Sequence, residues 1–145
     1  MRSLKSLVVA AFAVLTLIFL LPATPANAQE PAYLRAISNL RTAKAYLGMD
    51  TRPAFRGDRI VAIQEIDAAI GEMQRAAVDD GRNPWHTPPP QSGSDPLGPV
   101  HSAMRLMNEA LGDVERGGDN PRNAGLQARS IHHVKQAQAR LQPWM

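Results

Sequence analysis

AYLRAISNLRTAKAYLG, residues 32–48, decides the fold. Tyr33, Ile37, Leu40, Lys44 and Leu47 recur in steps of four and three. That spacing puts all five on one stripe of a helix and on none of a strand. Four of the five are hydrophobic, and Lys44 interrupts them. Gly48 follows as a C′ residue.

The same pattern returns further along the chain. Sliding the segment by 67 residues lays Tyr33 on Val100, Ile37 on Met104, Leu40 on Met107, Ala43 on Ala110 and Leu47 on Val114. Lys44 then falls on Leu111, which obeys the stripe. The segment between them, residues 58–81, carries Ile63, Ile66, Ile70, Met73 and Ala77 on one face. Sliding it by 68 lays Ile63 on Ile131, Ile66 on Val134, Ala69 on Ala137 and Met73 on Leu141 in residues 123–142. Two nearly equal offsets describe one helical hairpin written twice. The expected fold is therefore all-α: an antiparallel four-helix bundle, hairpin 31–81 followed by hairpin 99–142, with up-down-up-down connectivity. Asp58 and Asn123 are the expected N-caps of the second and fourth helices, Gly81 closes the second, and Pro99 suits a first turn. Pro143 ends the last helix. Asp79 and Asp80 oppose the dipole of the helix they end, and Arg82 is the expected compensation.

Residues 82–98, RNPWHTPPPQSGSDPLG, are rich in Pro, Gly, Ser and Asp and read as a linker between the hairpins. TPPP is expected to be extended polyproline II. Trp85 is expected to fold back over one end of the bundle.

The N-terminus reads as an export signal. Arg2 and Lys5 precede an uncharged apolar run from Leu7 to Leu21, Pro22 breaks it, and Ala-Asn-Ala ends at Ala28. This is the pattern of a general secretory signal peptide, residues 1–28, cleaved after Ala28. The apolar run is short for a membrane span, so no stable membrane anchor is expected after cleavage. The expected location is the periplasm or the medium. The chain has no Cys, which excludes a lipid-anchored cysteine, disulfides, thiolate metal sites and covalent haem attachment. The formal net charge of +3 loses two cations, Arg2 and Lys5, with the signal. A mature chain so near neutrality lacks the basic stripe of a nucleic-acid binder.

Few side chains carry chemistry. No Gly-rich phosphate loop, serine-nucleophile motif or His–carboxylate zinc motif is present, and no enzyme is expected. His132 and His133 are adjacent, so on a helix they point about 100° apart and do not chelate one metal together. With His101 and His86 they are the candidate ligands for copper, zinc or nickel; Met73, Met104 and Met107 add thioethers suited to Cu(I). The commoner use of those methionines is core packing. Lys44 has two readings. It snorkels to the bundle edge with its stem buried. Alternatively Lys44, Asp67 and Gln74 form a polar spot inside the bundle that takes an anionic or polar ligand.

PAYLRAISNLRTAKAYL and AIQEIDAAIGEMQRAAVDDGRN together resemble small exported bacterial helical-bundle proteins, a likeness spanning nearly the whole mature length. It implies export and an all-helical fold and carries over no catalytic residues. SIHHVKQAQARL resembles one helix of the small periplasmic metal-binding bundles, from which this chain departs in having only four histidines. The expected function is that of a non-enzymatic interaction or structural module with a protein or envelope partner, as monomer or homodimer. The alternative is a metal- or small-ligand-binding bundle.

Overall fold

The computed structural model describes residues 32–117 and 120–145. The expected signal peptide lies outside the described residues. Four helices form: α1 Ala32–Met49, α2 Arg56–Asp79, α3 Pro99–Arg116 and α4 Ala124–Leu141. Short 3-10 turns lead into α2 (Pro53–Phe55) and α4 (Pro121–Asn123), and a third, Gln142–Trp144, follows α4. No strand occurs among the described residues.

The repeat is reproduced element by element. α1 and α3 are both 18 residues long and start 67 apart. The two 3-10 turns, each with Pro at its first position, start 68 apart, as do α2 and α4. The residues paired by the offsets are buried together: Leu40 and Met107, Ala43 and Ala110, Leu47 and Val114, Ile66 and Val134, Met73 and Leu141. Repeat-equivalent helices also face each other. α1 packs most extensively on α3 and α2 on α4, while contacts within each hairpin are thinner. Ala36 and Ala43 on α1 and their repeat mates Ala103 and Ala110 on α3 are all fully buried.

Side-chain pairs set the directions. Only residues 50–55 join α1 to α2, so the two pack antiparallel, with Lys44 meeting Asp67 between them. Arg35 near the start of α1 meets Asp113 near the end of α3. Asp58 at the start of α2 accepts from the Trp144 indole beyond α4, while Glu72 meets Arg129 earlier in α4. Every adjacent pair is therefore antiparallel, but α2 and α3 run the same way. The expected up-down-up-down connectivity is corrected to up-down-down-up. The long connection allows it: residues 80–98 can reach about 60 Å extended, against about 27 Å for an 18-residue helix. A loop that long does not force its helices to be neighbours.

The linker is a docked strap, not a spacer. Asn39, fully buried on α1, accepts the Gln91 backbone N–H (3.1 Å), and Arg41 donates to Thr87 Oγ1 (3.4 Å). Ser92 donates to Glu109 Oε1 (2.6 Å), Arg105 donates to the Gly93 carbonyl, and the Asp95 N–H donates to Ser102 Oγ (2.7 Å). The strap thus returns along the outer face of the α1–α3 pair. Asn39 stands where the repeat has Leu106, an apolar position on α3.

Helix ends follow local chemistry with some departures. Gly81, at φ +71°, ends α2 in a Schellman turn: the Arg82 N–H reaches the Ala77 carbonyl and the Gly81 N–H the Val78 carbonyl. Gly98, at φ +114°, precedes Pro99 at the start of α3. Asp58 is not the cap of α2, which begins two residues earlier after the 3-10 turn; it lies in the first turn, where its charge suits the dipole. Asn123 precedes α4 but does not cap it: it is buried and donates to the Ala76 carbonyl (3.3 Å) and to Asp80 Oδ1 (3.0 Å). Asp80 also accepts from Asn120 (2.6 Å), so two amides, and not Arg82, compensate it. Gly48 does not close α1, which continues to Met49.

Candidate functional site

The four histidines do not assemble. His133, on the flank of α4, places Nδ1 2.7 Å from Glu65 Oε2 on α2, an interhelical contact at the bundle surface. His132 points to solvent, its ring edge-on to that of His133 at 5.8 Å between centroids. His101 is half-buried near the start of α3, and His86 is exposed on the strap. No group of three His, Cys, Asp or Glu side chains suited to a metal occurs among the described residues. Met73 and Met107 are fully buried and Met104 nearly so, packed into the apolar core.

Lys44 takes the edge position. Its ammonium lies 2.6 Å from Asp67, with the two side chains 40% and 51% exposed. Gln74, two turns further along α2, lines a different feature. The alternative of a polar spot inside the bundle is therefore corrected: an ammonium on a long stem reaches water from a stripe position at no cost in desolvation.

Sequence reasoning missed the carboxylates that are buried. Asp113, fully buried on α3, receives both Arg35 and Arg116 on one oxygen, at 3.1 and 2.7 Å. Glu72 on α2 accepts from Arg129 across the α2–α4 interface and from Arg75 on its own helix. The Arg129 hydrogen bonds hold the Glu72 carboxyl below its ordinary range, against the opposing effect of burial. Asp50, buried in the α1–α2 loop, is held low by its hydrogen bonds from Arg52, again against burial. The Arg52 guanidinium stacks over Phe55 and Trp144 at 5.3 and 5.5 Å, and Arg59 donates to the Asp50 carbonyl. These pairs tie helix to helix or close the bundle end. The only sequence signal was an arginine close by in the chain: Arg52 two residues after Asp50, and Arg75 and Arg116 three residues after Glu72 and Asp113.

The feature least explained by folding is a groove of about 550 Å³ on the outer face of α2. Gly71, Gln74, Arg75, Val78 and Asp79 form its floor; Pro84 and Trp85 form one wall and Leu126 of α4 another. Contrary to the expectation that it folds back over a bundle end, Trp85 lies beside the outer face of α2. Buried Pro84 anchors it, Asn83 Oδ1 accepts its backbone N–H (3.0 Å), and Arg41 lies 5.7 Å from its ring centroid. The indole is thereby positioned yet 73% exposed, beside Val78 at 58%. Among the described residues, nothing would lie within 4 Å of a Cβ at Gly71. At the opposite end, Met49 and Pro99 separate two smaller cavities of about 410 and 360 Å³.

Comparison with protein-family models, curated proteins and solved structures returns no match to this chain.

Proposed function

We propose that this chain is an exported, non-enzymatic helical-bundle module that acts by protein contact, and that the groove beside Trp85 is its contact face. Export rests on the charged, apolar and small-residue pattern of residues 1–28. The contact reading rests on one observation: a tryptophan held in place by its neighbours but left 73% exposed beside a groove. A large aromatic side chain left in water forgoes its hydrophobic gain, and tryptophan is the residue most enriched at the energetic centres of interfaces. The groove mixes apolar walls with one cation and one anion, the character of a protein-facing patch. It lacks convergent titratable groups, so no reaction is assigned to it.

The test is a pull-down from the cells that make the chain, with wild type and Trp85→Ala compared. Trp85 is exposed, so its removal leaves the fold intact. Loss of a specific bound protein with unchanged melting supports the reading; identical capture by both overturns it. N-terminal sequencing of the exported chain tests the first half, with Gln29 as the expected first residue.

A further inference from the structure

We propose that the occupant of the Trp85 groove is a second copy of this chain, with α2 of each copy packed antiparallel on α2 of the other about a two-fold axis. The proposal rests on the contact reading above and names the partner. Three features of the groove support it, and the first two are their own complements.

The first is a knob and a socket. Val78 projects, exposed, two turns after Gly71, which presents bare backbone to the groove. Glycine is a poor helix former, and no described residue comes within 4 Å of where a Gly71 Cβ would stand. An antiparallel pair centred between Gln74 and Arg75 sets Val78 of each copy opposite Gly71 of the other. Both contacts are made at once, as a two-fold interface requires.

The second is charge. Arg75 and Asp79 both line the groove, one turn apart. Arg75 makes an ion pair with Glu72 at 3.0 Å but is 65% exposed, and Asp79 has no ion pair among the described residues. Helical side chains lean toward the N-terminus of their own helix. In the antiparallel arrangement Arg75 and the partner's Asp79 therefore lean toward each other, and the pairing occurs twice. A surface carrying one cation and one anion in this order favours its own inverse; it matches neither an anionic membrane nor a nucleic acid. The third feature is the pair of walls, Trp85 and Leu126, which flank the seam and cover it from water once it closes.

Sedimentation equilibrium of the purified chain across the micromolar range tests self-association, and a monomer throughout overturns the proposal. Two variants test the face. Gly71→Leu puts a side chain into the socket from a position where a Cβ meets no described heavy atom within 4 Å, and is expected to weaken association at least tenfold while melting is unchanged or higher. Asp79→Arg removes an acid from a helix C-terminus, which favours the monomer fold, and sets like charges against Arg75 of the partner subunit. It is expected to give monomer, and Asp79→Arg with Arg75→Glu to restore the dimer. A dimer indifferent to both single variants overturns the assigned face. A photo-crosslinking residue in place of Val78, in the cells that make the chain, separates this proposal from the reading beneath it. An adduct of twice the chain mass supports self-association. An adduct of any other mass overturns self-association and leaves the contact face standing. No adduct overturns both.

Discussion

Replacing Glu72 by glutamine removes the ionic link between α2 and α4 while keeping its shape. In the native chain Glu72 is 8% exposed and accepts two hydrogen bonds from Arg129, at 3.1 and 3.0 Å, and one from Arg75 at 3.0 Å. A hydrogen bond to a charged group contributes about 1.5–3 kcal/mol net when buried. Both arginines are more than half exposed, at 55% and 65%, so water takes back much of their side of the interaction. The balance is a loss of about 2 kcal/mol for Glu72→Gln at pH 7, read as a fall of about 8 °C in melting temperature for a chain of this size. The pH dependence follows from the direction of the shift. The folded carboxyl is held below its ordinary range, chiefly by the Arg129 hydrogen bonds. Its contribution is therefore complete above the ordinary glutamate value of 4.5 and is lost as pH falls through the lower folded value. Urea denaturation followed by circular dichroism at a series of pH values should show wild type and variant converging below that range. A gap that persists unchanged at acid pH, or no gap at neutral pH, refutes the account of Glu72 as a charged interhelical tie. Arg75→Ala is the control and should cost about 0.5 kcal/mol, since it removes only the exposed arm.

Asn39→Ala deletes the acceptor of the Gln91 backbone N–H. It should cost about 1–3 kcal/mol, and limited proteolysis should show faster cleavage within the strap while the helices stay protected. Leu106→Ala opens a cavity at a fully buried position of α3 and should cost about 2–5 kcal/mol in chemical denaturation; Leu111→Ala, only partly buried, should cost less. Lys44→Met breaks an exposed pair with Asp67, so its stability change should stay within about 1 kcal/mol in a thermal melt. Copper, zinc or nickel should leave the melting temperature unmoved, because a ligand stabilises only through a site formed in the native state and the histidines occupy separate places on α3, α4 and the strap.

The residues that made the helices legible are those whose period shows what they do. Tyr33, Ile37, Leu40 and Leu47 mark one buried stripe, and the offsets of 67 and 68 recover it in α3 and α4. Gly81 was legible as a helix end because a left-handed turn favours a residue without a Cβ. The edge position of Lys44 was legible because a lysine on a stripe needs a route to water, while its partner there, Asp67, belonged to the buried alternative.

What the tertiary structure alone decided is everything that depends on which faces meet. The direction of α3 was not written in its own sequence, because a stripe of buried residues reads the same up or down and a 19-residue connection from Asp80 to Gly98 permits either. The strap was hidden because its hydrogen bonds run through backbone groups and through Asn39, Arg105 and Glu109, scattered polar residues with no period. The buried carboxylates were hidden for the same reason: burial of Asp113 or Glu72 is a property of the neighbouring helix and its arginine. Likewise the groove joins residues of α2, the strap and α4 that are remote in the chain. Periodicity reports one helix and one face; a site is made where several helices close, and only packing places it.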